Sequence, residues 1–219
     1  MFQRLKKFVL PMALFLALIF VLGIFLAFRG VRTLQWGMAE TLRWQSECLV
    51  RRFNIDSTLH ERIVEIVEQA AKQIESGDFW FWKGAGILRA FNDGPVFYSL
   101  LHLGLSKRLN ELGSGSVANV AISTDLCNRF FAAAAAGKVD SEILNSVREI
   151  LVEEVSVSIG TPVGLVIPEK LEVFKDSLTE EEIERCSKMM GDVCANASLD
   201  EHLAAPDVLV ELKKVVASL

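Results

Sequence analysis

Residues 8–28 read FVLPMALFLALIFVLGIFLAF, 21 positions without a charge. A run of this length suffices to cross a bilayer once as a helix. It holds six Leu, five Phe, two Val, two Ile and Met12. At roughly −0.3 to −0.6 kcal/mol for each of these residues, insertion is favoured by about 5 to 10 kcal/mol, with nothing charged opposing it. Pro11 falls in the first turn, where a missing N–H costs little.

Arg4, Lys6 and Lys7 ahead of the run would also suit a cleaved secretory signal. Two features speak against cleavage. The run exceeds the roughly 7 to 15 apolar residues of such a signal, and its exit, Leu26-Ala27-Phe28-Arg29-Gly30, lacks the small-x-small pattern a signal peptidase needs. An uncleaved anchor is therefore expected. The basic tail, residues 1–7, should stay cytoplasmic and the bulk of the chain should be extracytoplasmic, in the periplasm if the source is bacterial.

Outward from the anchor, residues 29–53 contain no proline and place Val31, Leu34, Met38, Leu42 and Leu49 close to helical spacing. They are expected to carry the membrane helix on as a stalk, with Gly30 and Gly37 the places for a bend or break. Gly23, Ala27, Gly30 and Gly37 fall within about 80° of one another at 100° per residue. Such a stripe lets another helix approach closely in lipid, where packing drives association.

Residues 54–219 are expected to form one mainly α-helical domain. Thr58 with Glu61 reads as a capping box and Gly77 as a stop, bracketing an amphipathic helix whose inner face is Leu59, Ile63, Ile66, Val67, Ala70 and Ile74. Phe79 to Gly86 is an aromatic cluster interrupted by glycines, and Pro95 to Leu105 is a second apolar run, too short to span. Helices are expected around Phe130 and Phe131, closed by Gly137, and around Val147 and Ile150. Val155 to Ile159 alternates strictly and, with Val163 to Ile167, predicts a small β-hairpin. Helix is expected to return after it, with capping boxes at Thr179/Glu182 and Ser198/Glu201 and Pro206 at a first helical position.

The net charge of −5 conceals a split. Residues 1–32 hold five bases and no acid, so residues 33–219 carry 18 bases against 28 acids. Phosphate backbones would repel such a body, which argues against nucleic-acid binding. The stretch from Glu169 to Glu211, with 12 acids and four bases, reads as a solvated helix surface.

Candidate sites are few. Trp36, Trp44, Trp80 and Trp82 lie near the anchor or in the aromatic cluster, as indoles at a membrane interface do. His102, on an apolar helix, could ligate a tetrapyrrole through neutral imidazole, which makes an extracytoplasmic cofactor or ligand binder using Phe79 to Leu105 the alternative function. Cys186, Met190 and Cys194, with Met189, share a helix face and have the soft chemistry that suits Cu(I). Cys48 and Cys127 bring the thiols to four, and spacing leaves their pairing open.

No catalytic residue is expected. Gly113-Ser114-Gly115-Ser116 lacks the lysine of a phosphate-binding loop, and the chain has no Gly-x-Ser-x-Gly elbow and no His-Glu-x-x-His pair. The cofactor, if any, is unknown. The function expected is a non-catalytic accessory subunit of a membrane complex, whose partners are the lipid bilayer and other membrane subunits or a second copy.

Overall fold

The computed structural model describes residues 29–49, 52–53, 55–78, 81–112, 124–160, 166–196 and 204–218. The chain is mainly helical, with one two-stranded sheet. Among the described residues no helix is long and apolar enough to cross a membrane. The anchor expected over 8–28, with Gly23 and Ala27 on it, lies outside them, as do Trp80, Gly113–Ser116 and the Ser198/Glu201 box.

Helix α1, residues 29–49, runs without interruption through Gly30 and Gly37, so neither glycine breaks it. Its first turns expose Val31, Leu34 and Trp36, whereas Ala39, Leu42, Ser46 and Leu49 are buried. The helix expected as a stalk is thus inside the domain from Ala39 onward, because apolar or small residues recur there at intervals of three and four. Helix α2, Ser57–Ser76, returns antiparallel to it. Arg43 pins the two together, donating to Glu68 at 2.7 Å and Glu75 at 2.7 Å while also holding Glu40 of its own helix. These bonds to Arg43 hold the Glu68 and Glu75 carboxyls below the usual carboxylate range.

The N-cap of α2 is Asp56, whose carboxylate accepts from the Leu59 N–H at 2.9 Å, and not the expected Thr58. A free carboxylate two residues earlier makes the stronger cap. Gly77 does end the helix, at φ 87°. Helix α3, Phe81–Asp93, runs through Gly84 and Gly86, so these glycines do not interrupt the aromatic segment. Gly84 has a packing reason: a Cβ there would collide with Met38 Cγ and lie 2.8 Å from its Sδ.

Helix α4, Pro95–Leu112, is the second apolar run, and it is the central helix of the domain. Val96 to Leu101, Leu105 and Leu109 are all buried. A helix apolar on most sides belongs in a core. It packs against α3, α5 (Thr124–Ala135) and the last helix, α8 (Val208–Ser218). Gly137, at φ 69°, closes α5 as expected.

Helix α6, Ser141–Leu151, leads directly into β1, Val152–Gly160, which pairs antiparallel with β2, Val166–Phe174. The hairpin is present: β1 extends the expected Val155 to Ile159 strand at both ends, whereas β2 shares only Val166 and Ile167 with the expected Val163 to Ile167 arm and runs on to Phe174, residues 161–165 lying outside the described ones. Pro168 opposes Ser158 without ending β2, because a two-stranded ribbon consists of edge strands. The acidic stretch from Glu169 therefore begins as strand, and its helix, α7 (Glu180–Asn196), starts later. The Thr179/Glu182 capping box is formed reciprocally at 2.8 and 3.2 Å. Helix α8 is capped by Asp207, which accepts from the Leu209 and Val210 N–H groups, so Pro206 stands outside it. Val208 and Leu212 bury its inner face.

Candidate functional site

Two glycines of the proposed packing stripe are described. A Cβ placed on Gly30 or on Gly37 would meet nothing within 4 Å. At 100° per residue, Gly37 lies roughly 120° to 180° around α1 from the buried Ala39, Leu42, Ser46 and Leu49. Gly30 and Gly37 therefore face away from the domain their own helix enters. Close by, Leu34 is 58% exposed and Trp36 51%. Trp82, at the start of α3, is 66% exposed, and Trp44 is half-buried.

His102 sits half-buried on α4. Its Nε2 lies 2.8 Å from Asn128 Oδ1 on α5 and 3.3 Å from Ser106 Oγ. The imidazole Nε2 is thus engaged by the Asn128 amide of the neighbouring helix. The ring stands edge-on to Phe131 at 5.8 Å. Ser99, one turn away, donates to the Pro95 carbonyl at 2.7 Å and forms no pair with the histidine. Burial pulls the His102 pKa below its ordinary value, with the Asn128 hydrogen bond opposing. The folded state thus binds this proton less well than the unfolded chain. Stability from this group is complete above the unfolded value and is lost as pH falls through it. Thermal melts of the wild type from pH 7 to pH 5 should show a falling midpoint, and His102→Gln should flatten part of that slope.

Cys186, Met190 and Cys194 are all buried on α7, which continues through Gly191. An unbroken helix holds residues eight apart at about 12 Å, too far for a disulfide between these two cysteines. Cys127, Cys186 and Cys194 are free thiols. Met189 does not join the others: it lines an apolar cleft of about 400 Å³ with Ile143 and Val193. Burial pushes Cys186 up to about 12 and, with Cys186 and Cys194 nearby, Cys127 to about 12. Thiols rather than thiolates line this part of the core, and no group of three His, Cys, Asp or Glu able to hold a metal occurs among the described residues. N-ethylmaleimide at pH 8 should modify the half-buried Cys48 well before Cys127 and Cys186, because the thiolate is the reactive form. Peptide mass mapping over time would measure the order.

Sequence reasoning missed a buried polar cluster around Arg52. Arg52 is 3% exposed; it donates to the Glu172 carbonyl at 3.0 Å and to Asn92 Oδ1 at 3.1 Å. Its guanidinium lies 5.4 Å from the Phe53 ring centre and 6.0 Å from that of Phe97. Arg148 approaches the Phe97 ring at 4.7 Å and pairs with the Glu172 carboxylate, donating through Nε at 2.9 and 3.1 Å. Burial lowers the Arg52 pKa from its ordinary value, and Glu172 opposes the shift. An acidic cleft of about 450 Å³ adjoins this cluster, lined by Arg148, Glu149, Glu153, Glu154 and Glu172.

The search for relatives returned nothing. No family model, no curated protein and no solved structure matches the chain. The hub around Phe97 joins residues 52–53, α3, α4, α6 and β2, and each of its cations is answered by a carbonyl, an amide, a ring or Glu172. Such a satisfied cluster holds elements in place. Nucleophile, base and orienting group are not assembled in it.

Proposed function

We propose that the chain is a single-pass, non-catalytic accessory subunit of a membrane complex, anchored by residues 8–28 and held to another membrane subunit, or to a second copy, along Gly23, Ala27, Gly30 and Gly37. The observation that carries this reading is the open space at Gly30 and Gly37. Small residues inside a helix cost stability, about 0.5 to 1 kcal/mol each relative to alanine, and nothing in the described chain uses the room they leave. A helix from another chain would. The bulk of the chain then lies outside the cytoplasm, carried by the long translocated segment.

The test is native electrophoresis of gently solubilised membranes. Gly23→Leu with Ala27→Leu should release the protein from its complex, and Gly37→Leu should weaken it without unfolding the domain, since the added side chain meets no internal neighbour. Unchanged co-migration of both variants would refute the packing face.

A further inference from the structure

We infer that the domain does not sway on its anchor but sits on the bilayer, with the edge marked by Gly77, Trp82 and Gly84 against the lipid headgroups. This inference rests on the anchoring reading above and names the surface that edge meets.

The antiparallel course of α1 and α2 fixes which end of the domain faces back toward residue 28. A Cβ on Gly77 would lie 3.7 Å from the Gln35 side chain, and Gly84 abuts Met38, so the α2–α3 edge stands level with residues 35–38 of α1. Higher on the same helices, Arg43 meets Glu68 and Glu47 approaches His60 at 3.9 Å. Gln35 lies seven residues beyond Phe28, about 10 Å along a helix. The headgroup layer occupies roughly 5 to 8 Å on each side of the hydrocarbon. The edge thus stops at the outer margin of that layer, within reach of long side chains.

What projects there suits such a surface. Leu34, Trp36 and Trp82 are among the most exposed large apolar residues described, and indoles favour the headgroup level. Arg29 and Arg32 are exposed on the connecting turns. Of the acids at this end, Glu40 and Glu75 are taken by Arg43, and Asp78 accepts from the Ser76 hydroxyl at 2.7 Å.

The full-length protein in nanodiscs of phosphatidylcholine and phosphatidylglycerol provides the test. One variant retains only Trp82 and another only Trp44, the remaining tryptophans being replaced by phenylalanine. A headgroup spin-labelled lipid should quench Trp82 by half or more and Trp44 by less than a tenth. Equal, weak quenching of both in discs that keep the protein through an alkaline wash would overturn the inference and leave the anchor intact. Loss of the protein in that wash would overturn the anchor and the inference together. Trp82 shielded from iodide yet untouched by the labelled lipid would mean that a second copy or partner subunit covers the edge, and would overturn it too.

Discussion

Phe97→Ala is expected to destabilise the domain by about 4 to 6 kcal/mol, the sum of a large aromatic truncation in a core and two lost cation–ring contacts. The ring is completely buried, meets Phe53 edge-on at 5.9 Å, and is flanked by the Arg52 and Arg148 guanidiniums. Removing it opens a cavity and withdraws the aromatic face from two cations, one of which has no solvent to fall back on. Urea unfolding followed by circular dichroism measures the loss. Phe97→Met keeps most of the volume and removes the ring quadrupole, so its smaller loss, about 1 to 3 kcal/mol, isolates the cation contribution. A methionine variant as stable as the wild type would show that filled volume, and not the ring's interaction with arginine, dominates. Wild-type stability from the alanine variant would refute the hub.

Leu16→Arg combined with Ile19→Arg should abolish membrane retention. Each arginine near the middle of the apolar run costs about 3 to 4 kcal/mol including the lost apolar residue, so the pair removes most of the insertion energy of about 5 to 10 kcal/mol. Sedimentation after alkaline carbonate extraction gives the readout, with the wild type in the pellet and the double variant in the supernatant. Recovery of the wild type in a salt-washed soluble fraction, or a mature mass lacking the first thirty residues, would remove the anchor from the account.

Local signals in the chain were legible where one element decides them alone. Ile63, Val67, Ala70 and Ile74 recur at helical spacing and are buried on α2, and Gly77 adopts the left-handed conformation its place after the helix requires. Thr179 and Glu182 cap each other across three residues. The strand alternation of Val155 to Ile159 survives in β1. What could not be read is whatever depends on distant partners. Arg52 follows Arg51 in an otherwise polar-looking pair, and nothing nearby announces that it will be buried under a carbonyl 120 positions away. Glu172 sits in an acidic run that suggests solvent, yet its carboxylate is committed to Arg148. Pro95 to Leu105 illustrates the same limit from the apolar side. Composition could not tell a membrane-resting helix from a central one, and only the faces of α3, α5 and α8 around it decide.

The candidate sites divide along the same line. Gly30 and Gly37 could be placed on one stripe from spacing alone, but that they point away from the domain depends on which face α1 buries. His102 was identifiable as an odd polar residue on a greasy helix. Its partner Asn128 comes from the next helix, and no spacing within α4 could reveal it.

Helix α1 is embedded in the body at one end and, by the reading above, in lipid at the other, with Arg43 clamped across to α2. Such a connection has no swivel. A single alanine inserted between Arg32 and Thr33 would turn everything upstream by about 100° relative to the body, whereas seven inserted residues would bring it back to within roughly 20° of its original bearing. Whatever grips the upstream glycines consequently also dictates the compass direction in which the acidic cleft opens.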